Sequence, residues 1–153
     1  MSVLREWKKV CEADLDSLIF ELKEFITEPA FIILSGEVGV GKTTFAKSFA
    51  KLLINEPFTF SPTYSVVNEL GTLVHADFYR LESPDDIVHL ELDIYLEDKE
   101  YFLVEWGRKY HRELLDFVPR EFSHYELLFE MNDARDSSTV PTRNIRLIEL
   151  LED

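Results

Sequence analysis

The chain has 153 residues, about one ordinary domain, and that length suffices to bury a core without disulfide or metal staples. Hydrophobic residues at 46% and charged residues at 30% exclude wholesale disorder. Against 16 Lys+Arg stand 30 Asp+Glu, and a net charge of −14 disfavours non-specific binding to nucleic acid or anionic membranes, so any phosphate must be gripped locally against the overall field. Cys11 is the one cysteine, which rules out an internal disulfide and fits a reducing compartment. The longest purely apolar run, Ala30 to Leu34, is far too short to span a bilayer. The opening MSVLREWKKVCEADLD lacks the apolar segment of a secretory signal. The expectation is a soluble, cytoplasmic, single domain over residues 1–153.

In chain order, Asp14 is placed to cap a helix whose Leu15, Leu18, Ile19, Leu22, Phe25 and Ile26 recur at helical spacing. Pro29 ends that segment, and Phe31 to Leu34 reads as a short buried strand. A glycine-rich stretch follows, then a second helical pattern through Phe45, Ala46, Phe49, Ala50, Leu52 and Leu53. Beyond a loop bounded by Pro57 and Pro62, Tyr64 to Leu70 and Leu73 to Phe78 predict two strands around a turn at Gly71. Ser83-Pro84 opens a broken helix running to Tyr95, with Ser as cap and Pro in the first turn. Tyr101 to Val104 is a second buried strand, and Arg108 to Leu115 is helical. Tyr125, Leu127, Phe129 and Met131 alternate with Glu126 and Glu130, which predicts a strand with one solvated face. A polar loop from Asn132 to Thr142 leads to a last strand, Asn144 to Leu150. Alternating strands and helices followed by strands indicate an α/β domain with a mixed sheet.

The informative stretch is Gly36-Glu37-Val38-Gly39-Val40-Gly41-Lys42-Thr43, an instance of G-x-x-x-x-G-K-[ST]. Three of the five glycines fall within six positions here. With Gly at about 7% of residues, chance produces such a match in a chain this long on the order of 1% of the time. The loop must turn successive backbone N–H groups onto a diphosphate, which needs torsions that side chains obstruct. A helix starting near Lys42 aims its free N–H groups and positive dipole end at the same anion. Lys42 brings a full charge to the β and γ oxygens, and Thr43 brings a hydroxyl suited to Mg²⁺. The motif predicts a bound nucleoside triphosphate.

Such a site needs a carboxylate at the end of a buried strand. Glu105 ends Tyr101 to Val104 and Asp77 ends Leu73 to Ala76, and spacing does not choose between them. Thr63, in Ser61-Pro62-Thr63, is either a switch threonine or an ordinary turn residue. Arg80 reaches either the γ-phosphate or one of the many carboxylates, and Trp106 packs at the site or in the core. His75, His89, His111 and His124 lack zinc-ligand spacing.

These motifs also coincide in order. Gly36 to Thr44, Ser61-Pro62-Thr63-Tyr64 with Val67-Asn68-Glu69, His75-Ala76-Asp77-Phe78-Tyr79-Arg80-Leu81, and Val104-Glu105-Trp106 together resemble the TsaE (YjeE) family. Those are small bacterial P-loop ATPases needed for threonylcarbamoyladenosine modification of tRNA beside the anticodon. The resemblance covers about Phe31 to Trp106. It implies a P-loop NTPase-like three-layer α/β/α fold with a mixed parallel and antiparallel sheet. It implies ATP and Mg²⁺ as ligands, slow ATP turnover alone, and TsaB and TsaD as partners, with TsaD transferring threonylcarbamoyl to tRNA. No stable direct tRNA binding and no membrane association are expected.

Carried onto this chain, the resemblance makes Gly36, Glu37, Val38, Gly39, Val40, Gly41, Lys42, Thr43 and Thr44 the nucleotide loop. Thr43 and Glu105 become metal positions, and Asp77 matches the aspartate associated with metal and hydrolysis. Thr63 matches the switch threonine, Trp106 the tryptophan after the metal glutamate, and Arg143 a C-terminal arginine near the nucleotide. The chain departs from the family where Val38 and Val40 replace Leu and Ala, where Leu70 replaces Tyr, and near Leu15, which has no Ser/Thr counterpart.

The leading expectation is an ATPase in which Lys42 and the loop amides neutralise the phosphate oxygens, Mg²⁺ sits on Thr43 and Glu105, and Asp77 orients or deprotonates the attacking water, with Thr63 as a further catalytic candidate. One alternative is a nucleotide-gated interaction module without essential hydrolysis. Another is a small-molecule kinase in which Arg108 and Arg112, four apart, form a lid pair. A GTPase is disfavoured because the guanine-reading Asn-Lys-x-Asp tetrapeptide does not occur.

Overall fold

A computed structural model describes residues 2–55, 66–132 and 140–150. In chain order these form β1 (Ser2–Val10), α1 (Leu15–Phe25), β2 (Ala30–Ser35), α2 (Lys42–Phe49), β3 (Val67–Leu70), β4 (Leu73–Asp77), α3 (Pro84–His89), α4 (Leu92–Leu96), β5 (Tyr101–Glu105), α5 (His111–Leu114), β6 (Ser123–Met131) and β7 (Arg143–Glu149). The seven strands make one sheet in the order β1-β7-β6-β2-β5-β4-β3. Strands β4, β5, β2 and β6 run parallel, β3 lies antiparallel on β4, and β7 and β1 extend the other edge antiparallel. Helices cover both faces, so the expected three-layer α/β/α fold with a mixed sheet is what forms.

Side-chain alternation sorts the central strands into two cores. Ile32, Leu34, Leu103, Leu127 and Ile145 point toward α1 and α2, where they meet Leu15, Leu18, Ile19, Leu22, Phe45 and Phe49. The four buried residues of α1 lie three and four apart, and each contributes about 1.5–3 kcal/mol by burial. Phe31, Ile33, Val74, Ala76, Phe102 and Val104 point the other way, onto Ile87, Leu92, Leu96, Tyr110 and Leu114. Helix α3 starts as expected, with Ser83 and Asp86 in a reciprocal capping box and Pro84 in the first turn. Among the described residues no helix is long and apolar enough to cross a membrane.

Two local expectations are corrected, and one strand is new. Strand β1 was not foreseen, because only Trp7 and Val10 of its nine residues are buried and two irregularities interrupt its pairing with β7. Asp14 does not cap α1; its carboxylate accepts the Cys11 N–H at 3.0 Å and closes the short 3₁₀ turn Glu12–Asp14 that precedes the helix. Strand β6 does not carry a solvated face along its length. It sits between β2 and β7, and Glu126 is only 8% exposed, accepting the Ser35 hydroxyl at 2.7 Å with Arg108 Nε 3.5 Å away.

Smaller differences concern element ends. The second helical pattern continues past α2 as a π-helical turn, Ala50–Ile54. The segment after Gly107 divides into a 3₁₀ turn, Arg108–Tyr110, and α5, so Arg108 and Arg112 do not share one regular helix. Of the strand expected from Tyr64, the first two positions lie outside the described residues and pairing begins at Val67.

Candidate functional site

The parallel strands β4, β5 and β2 end level with one another. Asp77 pairs in register with Glu105, and Glu105 with Leu34, so both carboxylates stand at the C-terminal edge beside the glycine-rich loop that leaves β2. Ligand sites of open α/β sheets form at this edge. Because side chains alternate, Leu73, His75 and Asp77 share the sheet face that carries Tyr101, Leu103 and Glu105, the face covered by α2.

Glycine is required at both ends of the loop. Gly36 has φ 146°, and a Cβ there would stand 2.6 Å from the carbonyl oxygen of Phe129. Gly41, the residue before α2, has φ 104° and gives that helix no side-chain cap. The first-turn N–H groups of α2 therefore have no capping side-chain oxygen from Gly41, the arrangement that suits a helix start to an anion. A Cβ on Gly39 would meet nothing within 4 Å, so the loop leaves open space above its backbone.

The cleft measures about 360 Å³ and is lined by Val38, Gly39, Gly41, Lys42, Thr43, Thr44, Asp77, Tyr79, Glu105 and Trp106. Lys42 is buried, donates to the Gly36 carbonyl at 2.6 Å, and holds its ammonium 3.5 Å from the centroid of the Trp106 ring. Burial pushes the Lys42 ammonium below its ordinary pKa, and the charges of Glu105 and Asp77 pull it part of the way back. Thr43 Oγ1 donates to Glu105 Oε1 at 2.8 Å, while Glu105 Oε2 lies 2.7 Å from His75 Nε2. Asp77 accepts the Tyr79 N–H at 3.0 Å. Burial raises the Asp77 carboxyl above its ordinary pKa; the Tyr79 amide opposes this and the nearby Glu105 charge reinforces it.

Trp106 takes a left-handed backbone with φ 61°, which turns its ring over Lys42 and within 5.1 Å of the Tyr79 ring. It also borders the core of the opposite face, so the site and core roles coincide in one residue. Beyond it lie two neighbouring cavities. One, of about 470 Å³, is lined by Ser35, Gly36, Phe78, Tyr79, Arg108 and Lys109; the other, of about 580 Å³, by Gly36, Glu37, Val40 and the end of β6. Gly36, Glu37 and Val40 thus stand behind the main cleft, and the Val40 side chain is buried in the core. Arg143 arrives from the first position of β7, is buried, and places its guanidinium 3.7 Å from the point where a Cβ on Gly41 would be. Arg80 is exposed on the turn after β4, and Thr63 lies outside the described residues.

The structure therefore gathers Lys42, Thr43, Asp77, Glu105 and Trp106 in one cleft and adds Arg143 at its margin. It also brings in His75 and Tyr79, which sequence reasoning did not place in the site. The signal for His75 was its position two residues before Asp77 on one strand, which puts both on the same face. One hydroxyl and two carboxylates make a hard-oxygen donor set suited to a divalent cation such as Mg²⁺. Among the described residues no group of three or more His, Cys, Asp or Glu side chains is placed to hold a metal ion.

The family model described as "Threonylcarbamoyl adenosine biosynthesis protein TsaE" matches residues 10–139. The chain belongs to the TsaE family. The family's place is in tRNA threonylcarbamoyladenosine biosynthesis. The match to the TsaE model takes in the loop, both carboxylates and Trp106, and stops before Arg143. A TsaE protein of Nostoc sp. is 32% identical over 145 residues, covering 87% of this chain and 85% of the relative. One of Bacillus subtilis is 31% identical over 113 residues, covering 71% and 70%. The solved structure described as YdiB of Bacillus subtilis superposes with a TM-score of 0.61 over 99% of this chain and 89% of that one, at 21% identity, and supports the fold.

Proposed function

We propose that this TsaE-family chain binds ATP with Mg²⁺ and hydrolyses it in support of the TsaB and TsaD proteins during threonylcarbamoyladenosine formation in tRNA. The observation that carries the reading is the hydrogen bond from Thr43, at the loop's end, to Glu105 in the cleft that also holds Lys42 and Asp77. Backbone N–H groups of the loop and of the first turn of α2, with the Lys42 ammonium, neutralise phosphate oxygens. Lys42 leaves the Gly36 carbonyl and the Trp106 ring to do so. Thr43 and Glu105 would hold the cation, which when bound would supply charge neutralisation for the phosphates. Asp77, its carboxyl raised by burial, accepts a proton from the water whose oxygen bonds to the γ-phosphorus as the bond from that phosphorus to the β–γ bridging oxygen breaks, releasing ADP and inorganic phosphate. Thr63, matched to the switch threonine, is the further catalytic candidate. Trp106, packed against Lys42, and Arg143, against Gly41, border the nucleotide.

A chain of net charge −14 acts here through protein partners in the cytoplasm, without a tRNA surface of its own. The test is to mix the purified chain with TsaB, TsaD and tRNA and to follow free phosphate and modified nucleoside together. The expected result is ATP-dependent association, phosphate release that rises with the partners, and Asp77→Asn binding ATP without supporting turnover. Full modification by Asp77→Asn would favour a nucleotide-gated module in place of an ATPase. A phosphorylated small molecule in place of free phosphate would point to a kinase, for which the adjoining cavity near Arg108 and Lys109 offers room. Failure to associate with TsaB and TsaD under any nucleotide condition would remove the partner assignment.

A further inference from the structure

We propose that His75 is a positioning residue for the cation site, fixing the Glu105 carboxylate in the orientation that Thr43 completes. The inference rests on reading Thr43 and Glu105 as the cation's holders.

His75 is 0% exposed, two positions before Asp77 on β4, and Glu105 is 3% exposed at the end of the neighbouring strand. One Glu105 oxygen takes the Thr43 hydroxyl at 2.8 Å and the other meets His75 Nε2 at 2.7 Å. Both oxygens are therefore engaged from opposite sides, one by the loop helix and one by the sheet. A carboxylate that holds a cation only accepts hydrogen bonds, so on the cation-site reading Nε2 is the donor of this contact. Such a bond is short because it is charge-assisted, and it fixes the carboxylate plane as well as satisfying a buried charge.

Without that donor, Oε2 is left buried against an apolar neighbour, and the carboxylate gains from turning toward the ammonium of Lys42. Lys42 and Glu105 line the same cleft, so this alternative is at hand. The cation then meets a carboxylate aimed elsewhere, whereas the loop amides that grip phosphate are untouched. Partners that orient metal-holding groups typically account for about 10–100-fold in metal affinity. His75 thus separates two quantities: cation affinity depends on it, and metal-free nucleotide affinity does not.

The experiment uses MnCl₂ with ADP as the probe and electron paramagnetic resonance to count bound Mn²⁺, on the wild type, His75→Leu and His75→Gln. Calorimetry with ADP in EDTA gives the metal-free affinity. We expect His75→Leu to bind Mn²⁺ about 10–100-fold more weakly with metal-free ADP affinity preserved. The Gln amide can donate near the Nε2 position, so His75→Gln is expected to recover most of the loss. Nitrogen-15 NMR of the wild type, which needs no variant to fold, should show Nε2 protonated. Wild-type Mn²⁺ affinity in His75→Leu, equal loss in the Leu and Gln variants, or an unprotonated Nε2 would each overturn the proposal while leaving the nucleotide site standing. Absence of Mn²⁺–ADP binding by the wild type would instead bring down the cation-site reading, and this inference with it.

Discussion

The two faces of β4 and β5 belong to the same ten residues and do opposite things. On the face toward α3, α4 and α5, Val74, Ala76, Phe102 and Val104 are apolar to the strand ends. On the face toward α2, Leu73, Tyr101 and Leu103 are apolar only at first, and the series ends in His75, Asp77 and Glu105. The first face stabilises the fold. The second gives up some of that stability to keep ionisable groups buried beside an open cleft, as the raised Asp77 and lowered Lys42 indicate.

The sharpest way to break this contrast is Phe102→Ala, which removes a fully buried ring packed 5.0 Å from Phe31. A loss of about 3–5 kcal/mol is expected in chemical denaturation, with nucleotide affinity of the folded fraction preserved. Gly36→Ala strikes where the functional face becomes the loop. Its Cβ would stand 2.6 Å from Phe129 O, and a cost of about 1–3 kcal/mol is expected together with weakened nucleotide binding.

Asp77→Asn should do the reverse of Phe102→Ala: turnover falls while stability at neutral pH rises by on the order of 1 kcal/mol, read from thermal unfolding. The sign follows from the raised carboxyl. A folded-state pKa above the unfolded value makes the ionised group a burden at high pH, and that burden is relieved as pH falls through the raised value toward 3.8. The variant's advantage should therefore shrink on acidification, and an advantage that grows would contradict the assignment.

The smallest effect is expected far from the cleft, at Glu21, which accepts from Arg5 at 2.8 Å and Trp7 at 3.1 Å and ties β1 to α1. Glu21→Ala should cost less than about 1 kcal/mol, and less still at high salt. Arg5, and then Trp7, hold the Glu21 carboxyl below its ordinary pKa. Its contribution is present above about pH 4.5 and is lost as pH falls through the lowered value.

The same contrast explains what was legible in the sequence. Gly36, Gly39, Gly41, Lys42 and Thr43 sit in a contiguous motif whose spacing is itself the geometry, so loop and helix start are readable locally. Asp77 and Glu105 are readable as polar ends of apolar runs. The rest depends on pairing between distant segments. Strand β1 exists because β7 offers it an edge 135 residues away, as the bond from the Lys9 N–H to Asn144 illustrates. Glu126 looks solvent-facing by alternation but lies between two strands and meets Ser35. His75 gains its meaning only when β4 and β5 bring it across to Glu105, and Arg143 only when β7 carries it to Gly41.

The most direct test of the central claim is calorimetric titration of ATP with Mg²⁺ into the wild type and Lys42→Ala. The account predicts saturable binding by the wild type and a loss of about 10–150-fold in the variant, the equivalent of one charged hydrogen-bonding group. Equal affinity in the two proteins would contradict it.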